Sequence, residues 1–245
     1  MVFSSYVFIF VFLPLVLLGF YLLPRLISSG GRLRTAQNLL LIAASLVFYG
    51  YYNVYYLFII IASILVNYVL ALAMQRFYLS RPAFAKALFI LGILFNIFLI
   101  GYFKYYDFFI ENINFIFRSS FALKHLLLPL GISFFTFQQL SFLVSVYKKD
   151  EKVEGFISYC IFVLFFPQLV AGPIVLYSEM IPQFNDQSRS RFNADNMAGG
   201  VYMFCIGLFK KAVIADTLAL FVDNGFAQDS LSLAAAWAAS LSYPL

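Results

Sequence analysis

The feature that most constrains the fold of this chain is an uncharged stretch of 41 residues, from Thr35 to Gln75. As one helix it would be about 60 Å long, roughly twice the thickness of the hydrocarbon core of a bilayer. The stretch therefore predicts a hairpin of two membrane spans, with a turn near Gly50–Asn53. Aromatic rings gather at membrane–water interfaces, and five tyrosines flank this turn: Tyr49, Tyr51, Tyr52, Tyr55 and Tyr56.

The composition places the whole chain in a membrane. It is 63% hydrophobic and 11% charged, whereas roughly 25% of the residues of an average soluble domain are charged. A soluble domain of 245 residues cannot bury so much apolar surface, so lipid must cover part of it. The predicted fold class is all-α, a polytopic bundle of transmembrane helices. The net charge of +5 comes from short basic clusters between apolar runs, which argues against nucleic-acid binding.

Two further spans are predicted at Tyr6–Leu23 and Ala87–Phe103. No Lys or Arg lies in Met1–Pro24, so the first run is interpreted as a retained span rather than a cleaved signal peptide. Two acid-free basic loops fall on the same side, because two spans separate them. The positive-inside rule places that side in the cytoplasm and the N-terminus outside. The basic residues are Arg25, Arg32 and Arg34 in one loop, and Arg76, Arg81 and Lys86 in the other.

The segment from Lys104 to Lys124 differs from the spans because polar residues recur at spacings of three and four. This narrow polar stripe on an aromatic helix predicts an amphipathic helix that lies in the plane of the membrane interface. The alternative is an extension of the preceding span that packs on its neighbours. The stripe consists of Lys104, Asp107, Glu111, Asn114 and Arg118.

The run Leu126–Tyr147 is uncharged but contains helix-breaking and amide side chains. Pro129 and Gly131 predict a broken or re-entrant start, and the following run is interrupted near Pro167 and Pro173. Amides are costly against lipid, so we expect them to face protein or a water-filled cavity. They are candidates for binding a substrate carbonyl or hydroxyl, and interhelical hydrogen bonding is the alternative. The candidates are Thr136, Gln138, Gln139, Ser141 and Gln168.

A second candidate site is the pair Lys210 and Lys211, which interrupts an apolar stretch after Asn196–Phe209. Charges within a membrane often bind anionic head groups or phosphate-bearing donors. In the alternative interpretation the two lysines mark a helix end, and their ammonium groups reach the interface. Asp216 and Asp223 follow in the sequence.

Other reactive side chains give weaker signals. His125 is the only histidine, and no carboxylate is near it in sequence, so we interpret it as an interfacial residue without a catalytic role. Cys160 and Cys205 lie in apolar runs, are expected to be buried, and predict neither a disulfide nor a metal site. The phosphate-loop, nucleophile-elbow and zinc-protease motifs of soluble enzymes are absent from the sequence. The residues alone thus predict a polytopic protein with a polar, broken-helix centre, and no reaction.

Specific strings add a family resemblance that covers essentially the whole chain. Together they closely resemble the membrane-bound O-acyltransferase family, in the bacterial branch that transfers acetyl groups to alginate or D-alanyl groups. The two proline–glycine strings are the most specific. In order, the strings are MVFSS at Met1–Ser5, FLP at Phe12–Pro14, NLLL at Asn38–Leu41, SLVFYG at Ser45–Gly50, PLGISFFTFQ at Pro129–Gln138, FFPQLVAGPI at Phe165–Ile174 and GLFKK at Gly207–Lys211.

The resemblance implies one membrane region over residues 1–245, with helices around a central tunnel, in the cytoplasmic (inner) membrane of a bacterium. An acyl group, expected to be acetyl, would come from a donor such as acetyl-CoA or an acyl carrier protein thioester, with no bound cofactor. The acceptor would be a hydroxyl of an extracytoplasmic polysaccharide or cell-wall polymer, reached through a partner protein. A transporter or flippase, or a non-catalytic membrane scaffold, remains the alternative.

The family's catalytic histidine follows two strings, of the types Tyr-Phe-Asp-Phe-Ser-Gly-Tyr and Trp-Arg-Arg-Trp-His, that this sequence lacks. Its last residues, Leu241–Leu245, resemble the stretch just before the first of those strings. His125 matches no catalytic position of the family. The expectation is therefore an N-terminal half that ends before the catalytic region and is inactive in acyl transfer by itself.

Overall fold

The protein is all-α over the part that the structure describes. A computed structural model describes residues 2–27, 29–169, 172–173, 175–228 and 230–243, and these ranges contain helices and no strand. The helices are α1 (Leu13–Leu26, preceded by a π-helical turn at Phe8–Phe12), α2 (Gly30–Gly50), α3 (Val54–Phe77), α4 (Pro82–Lys104), α5 (Tyr106–Phe117), α6 (Ile132–Lys148), α7 (Phe156–Leu164), α8 (Phe166–Leu169), α9 (Tyr177–Asn185), α10 (Ala194–Phe209), α11 (Asp216–Phe226) and α12 (Leu233–Ser242).

Three helical segments are long and apolar enough to cross a bilayer, namely Phe8–Leu26, Val54–Phe77 and Pro82–Lys104. They confirm the first predicted span, the second arm of the hairpin and the fourth span. The hairpin turn lies at Tyr51–Asn53, as predicted. Asn53 is the N-cap of α3, because its side chain accepts the N–H of Tyr55 at 2.9 Å. The protein is thus a multi-pass membrane protein.

The first arm of the hairpin and the basic loops differ from the prediction. Helix α2 has 21 residues but is not among the three span candidates, since Gln37 and Asn38 lower its hydropathy. It also begins at Gly30, so that Arg32 and Arg34 belong to the helix instead of a loop. The amides Gln37 and Asn38 are buried, and Gln37 compensates for its polarity by donating hydrogen bonds to the carbonyls of Phe20 and Ser190. The other predicted loop residues also lie on or next to helices: Arg25 in α1, Arg76 in α3, Arg81 at the N-cap of α4 and Lys86 in α4.

The tyrosines at the hairpin turn do not all belong to an aromatic belt. Tyr51, Tyr52 and Tyr55 are exposed, as expected for rings at an interface, but Tyr49 and Tyr56 are buried. The hydroxyl of Tyr56 donates to the carbonyl oxygen of Leu127 at 2.6 Å. One tyrosine of the predicted belt therefore fastens the irregular segment that precedes α6.

Two compact units make up the described chain, Val16–Ser190 and Val2–Leu15 with Arg191–Leu245. In the larger unit α3 packs on α4 and α6, α4 packs on α6, and α2 packs on α7. Large aromatic side chains fill the interior, with ring centroids of Phe142 and Tyr159 4.8 Å apart. In the smaller unit α11 packs on α12, and Gly225 permits this approach because a Cβ there would lie 2.8 Å from Ala239 Cβ.

Buried amides join α3 to α4. Asn96 Nδ2 donates to Asn67 Oδ1 at 2.6 Å, and Asn67 Nδ2 donates in return to Asn96 Oδ1 at 3.3 Å. Each amide also donates to a carbonyl of its own helix, that of Gly92 or of Ser63. Both side chains are fully buried. This pair fixes the rotation of one helix against the other, because any slip would leave amides unpaired.

A second set of hydrogen bonds extends the network to α6 and α7. Gln139 Nε2 donates to Ser63 Oγ at 3.1 Å, and Tyr159 Oη donates to Gln139 Oε1 at 3.2 Å. All three side chains are buried. We call Ser63, Asn67, Asn96, Gln139 and Tyr159 the buried polar network; it connects four helices.

A separate helix, α5, covers only residues 106–117 of the segment predicted to be amphipathic; it is divided from α4 at Tyr105 and has no buried residue within Tyr106–Phe117. Lys104 belongs to α4, and residues 118–124 are not helical, so the helix is shorter than predicted. Two stripe residues turn back on the chain that follows. Asp107 accepts the backbone N–H groups of Lys124 and His125 at 2.8 and 2.9 Å. Asn114 Oδ1 accepts the N–H of Phe121 at 2.9 Å. Part of the polar stripe thus holds the next segment in place. The position of α5 at a membrane interface remains a prediction.

We expect Asn96→Leu to destabilise the protein in detergent micelles by about 1–2 kcal/mol, since the buried amide of Asn67 loses its partner. The measurement is the midpoint of thermal unfolding. Asn112→Leu, which replaces an exposed amide on α5, is the matched control and should leave the midpoint nearly unchanged. The double variant Asn67→Leu/Asn96→Leu should regain part of the loss. An Asn96→Leu protein as stable as the wild type would contradict a stabilising role of the pair.

Candidate functional site

The first proline–glycine string forms a break in front of α6. Gly131 is the N-cap residue of α6, with φ at 66°, a left-handed conformation that glycine adopts without steric cost. The N–H of Ile132 donates to the carbonyl of Pro129 at 3.2 Å, which closes the turn. The residues between Arg118 and Pro129 are irregular, so α6 begins inside the uncharged run. The predicted broken start is confirmed.

The second string forms a break after α7. Helix α7 ends at Leu164, and after Phe165 the chain makes the single turn of α8. The N–H of Phe166 donates to Ser45 Oγ at 3.1 Å, which satisfies one backbone group at the start of this turn. Gln168 Nε2 donates to the carbonyl of Pro173 at 3.1 Å. Of this string, residues 170, 171 and 174 lie outside the described residues.

The two strings meet at a small recess of about 10 Å³, which Phe134, Gln138, Gln168, Gly172 and Pro173 line. A space of this size admits about one water molecule. Gln138 Nε2 donates to the carbonyl of Phe162 at 2.6 Å, near the end of α7. The structure therefore brings two predicted site residues, Gln138 and Gln168, to one place, but the recess itself is too small for a substrate.

The other three predicted residues, all on α6, do not line this recess. Gln139 belongs to the buried polar network, a position that matches interhelical bonding, the alternative interpretation. Thr136 is fully buried, and within the described ranges its hydroxyl has no hydrogen-bond partner. Ser141 donates to the carbonyl of Gln138 in its own helix at 2.9 Å. A contact of these side chains with substrate remains a prediction.

A much larger cavity opens on the other side of Gln168. Its volume is about 480 Å³, within the range of small-molecule sites. We call it the α1–α2–α9 cavity, after the helices that form most of its wall. Its apolar lining is Val16, Leu17, Phe20, Tyr21, Leu41, Phe165, Val175, Met180 and Phe184, and its polar lining is Gln37, Asn38, Gln168, Gln183, Asp186, Arg189 and Ser190.

One buried amide holds the frame of this cavity. Gln37 Nε2 donates to the carbonyl of Phe20 at 3.1 Å and to that of Ser190 at 3.0 Å. These two bonds tie α2 to α1 and to the 3₁₀ turn Gln187–Ser190. Opposite them, the rings of Phe165 and Phe184 meet edge to face with centroids 5.2 Å apart. The cavity is therefore bounded by fixed contacts rather than by loosely packed side chains.

An ion pair lies at the polar edge of the cavity. Arg189 Nε is 3.4 Å from Asp186 Oδ2, and Arg189 Nη1 donates to Gln183 Oε1 at 3.0 Å. Hydrogen bonds from the side chain and backbone of Ser188, with a smaller effect of Arg189, lower the pKa of Asp186. The carboxylate is thus ionised at neutral pH. Because it contacts only Nε of Arg189, other N–H groups of the guanidinium can donate to a further acceptor.

Sequence reasoning missed this cavity apart from Gln168. Its walls come from segments more than 150 residues apart, and each segment by itself shows an ordinary apolar pattern. The available signal was the pair of adjacent amides, Gln37 and Asn38, inside an uncharged run. Such amides must face protein or a cavity for the same reason as those of α6.

Lys210 and Lys211 lie in the smaller compact unit, in a π-helical turn, Lys210–Ala215, that continues α10 directly into α11. The prediction that they mark a helix end is wrong, because the helical run extends from Ala194 to Phe226. Lys211 forms an ion pair with Asp216 on the exposed surface. A π-helical turn often occurs at functional sites, but the binding of an anion by these lysines remains a prediction.

The histidine and cysteines differ in part from the expectation. His125 lies next to a carboxylate that is distant in sequence. Asp107 Oδ2 is 3.8 Å from Nδ1 of the His125 imidazole and accepts the backbone N–H of His125. The imidazole is 79% exposed, so this contact contributes little. Cys160 is buried as expected, but Cys205 is exposed on α10.

Comparison with known proteins identifies relatives along the whole chain. Residues 147–241 match the family MBOAT, membrane-bound O-acyltransferase. The chain is 41% identical, over 99% of its length, to a peptidoglycan O-acetyltransferase of Helicobacter pylori, of which it covers 50%. It is 39% identical to a protein of Pseudomonas aeruginosa named "Probable alginate O-acetylase AlgI", with coverage of 99% of the chain and 45% of that protein. The chain is thus similar to membrane-bound O-acyltransferases.

This relationship confirms the resemblance of the proline–glycine strings to that family. A third relative, also named "Probable alginate O-acetylase AlgI" and from Pseudomonas syringae pv. tomato, is 37% identical, with coverage of 99% of the chain and 45% of that protein. The chain spans about half the length of the curated relatives that it matches. No solved structure matches the chain.

We expect Gly131→Ala to destabilise the protein by about 1 kcal/mol, because a Cβ strains the left-handed N-cap of α6. Gly101→Ala is the control, since it lies in α4 with open space around it and gains helix propensity. Thermal unfolding of both variants in the same detergent is the measurement. If Gly131→Ala unfolds at the wild-type temperature, the left-handed turn is not required for the break.

Proposed function

We propose that this protein acts in a membrane O-acyltransferase that moves an acetyl group to hydroxyls of an extracytoplasmic polysaccharide or cell-wall polymer. The observation that carries the proposal is the relationship over 99% of the chain to proteins named peptidoglycan O-acetyltransferase and alginate O-acetylase. The multi-pass helical bundle supports it, because transfer to an acceptor outside the cell needs a route through the bilayer.

In the proposed reaction a thioester, of acetyl-CoA or of an acyl carrier protein, supplies the acetyl group. The hydroxyl oxygen forms a bond to the acyl carbon, the carbon–sulfur bond breaks, and the thiol leaves with a proton. A base must accept the proton of the attacking hydroxyl. A partner protein outside the membrane completes the transfer to the glycan. The proposed cellular location is the cytoplasmic membrane of a bacterium, with the N-terminus of the chain on the extracytoplasmic side.

Among the described side chains, Gln168 is the strongest candidate for contact with the transferred group. It borders both the recess between the two strings and the α1–α2–α9 cavity. Its amide nitrogen is engaged by Pro173, while its carbonyl oxygen can accept a further hydrogen bond. Gln138, Gln139 and Thr136 are proposed to support this region from α6, and Lys210 with Lys211 to attract an anionic donor.

The function is tested by the ester-linked acetate on the cell-envelope polysaccharides. Cells that lack the protein should release less acetate from purified polysaccharide under mild base than the parent strain, and the native protein should restore the level. Unchanged ester acetate in every polysaccharide fraction would overturn the proposal. Altered uptake of a solute by membrane vesicles, without a change in ester acetate, would instead support a transporter.

Within the same assay we expect Gln168→Leu to lower ester-linked acetate by roughly tenfold, which corresponds to about one lost hydrogen bond in the transition state. Gln228→Leu is the matched control, because Gln228 is exposed and belongs to the other compact unit. Protein amounts in the membrane are compared by immunoblot. Wild-type acetate levels with Gln168→Leu would remove this residue from the proposed site.

A further inference from the structure

The α1–α2–α9 cavity has properties that acyl transfer does not explain. We propose that it binds an anionic phospholipid, with an acyl chain in the cavity and the phosphate near the arginines at its polar edge. The proposal concerns lipid binding and stands independently of the catalytic function proposed above. Three observations carry it: the apolar interior, the Asn38 amide that lines the cavity, and the basic side chains beside its polar edge.

The interior suits a hydrocarbon chain. Side chains of Phe20, Leu41 and Met180 line it, together with the paired rings of Phe165 and Phe184. A water molecule would find few hydrogen-bond partners along these walls, whereas an apolar ligand loses no hydrogen bond on entry. A volume of about 480 Å³ holds part of an acyl chain together with its ester group.

Asn38 supplies a polar contact inside this apolar space. Its side chain lines the cavity and is only 5% exposed, and within the described part of the chain it makes no hydrogen bond. A ligand with an ester carbonyl would accept a hydrogen bond from the Asn38 amide. Gln37 cannot donate a hydrogen bond to such a ligand, because both of its amide N–H groups already donate to the carbonyls of Phe20 and Ser190.

Basic side chains predominate around the edge of the cavity. Arg189 lines it directly. Arg34 precedes Asn38 by four residues, and Arg25 follows Tyr21 by four residues, so each lies about 6 Å along its helix from a lining residue.

The nearby acids do not cancel this charge. Asp186 is paired with Arg189, and Glu179 accepts the N–H of Leu176 at the start of α9. Three arginines, of which Arg189 lines the cavity, against the carboxylates of Asp186 and Glu179 leave a net positive charge beside an apolar cavity. This combination is typical of sites for anionic lipid head groups between membrane helices. A zwitterionic lipid would satisfy Asn38 equally well but would gain less from the arginines.

The test is lipid binding to the purified native protein, measured by native mass spectrometry. The probes are phosphatidylglycerol, phosphatidylcholine with the same acyl chains, and inorganic phosphate. We expect phosphatidylglycerol to bind at least about fivefold more tightly than phosphatidylcholine, as one to two arginine contacts would give. Equal affinities would overturn the anionic part of the proposal. Phosphate that displaces phosphatidylglycerol at millimolar concentration would show a simple anion site instead.

Two variants separate the acyl-chain contact from the head-group contact. Val16→Trp fills the cavity and should weaken the binding of both lipids by at least about tenfold. Leu39→Trp, on an exposed face of α2, should leave both binding affinities unchanged. Arg189→Gln should reduce only the preference for phosphatidylglycerol, and Arg76→Gln, exposed in the last turn of α3, is its control. Wild-type lipid binding by Val16→Trp would show that the lipid sits elsewhere, and the proposal would fail.

Discussion

The pairing of buried amides and hydroxyls is the interaction on which the larger unit depends. Asn67 and Asn96 bond reciprocally between α3 and α4, and Gln139 connects Ser63 to Tyr159 across α6 and α7. Apolar side chains gain little by exchanging lipid contacts for contacts with another helix, so they set helix rotation weakly. A buried amide has a sharper requirement, because an arrangement without its partner leaves it unsatisfied. The network therefore determines which faces of the four helices meet.

The same requirement explains how the chain tolerates two helix breaks. Each break frees backbone groups from the helical pattern, and side chains from other helices bond to some of them. Tyr56 donates to the carbonyl of Leu127 before α6, and Ser45 accepts the N–H of Phe166 after α7. Polar side chains in this bundle thus serve mainly the protein itself. The hydroxyl of Thr136 is buried without a partner in the described part of the chain, and the amide of Asn38 lines the cavity, so these two side chains are better indicators of a place where something else binds.

Local rules predicted the elements whose causes are local. The length of the run Thr35–Gln75 required a turn, and Pro129 with Gly131 required a break, since both depend only on helix geometry. The rules failed where contacts between residues that are distant in sequence determine the structure. Arg32 and Arg34 lie in a helix because its other face is buried, and Asp107 reaches His125 across 18 residues. The wall of the α1–α2–α9 cavity is assembled from segments at both ends of the larger unit, which no local pattern records.

Gln168 links the two parts of the candidate site in a way that separates their roles. The recess between the proline–glycine strings is tightly filled, because Gln138 and Gln168 both spend an amide donor on backbone carbonyls there. The neighbouring cavity is held open by Gln37, whose bonds to Phe20 and Ser190 do not depend on any ligand. A preformed apolar cavity next to this small polar recess allows an amphiphile to bind without entering the recess. Ligand binding in the cavity therefore does not require the recess to open.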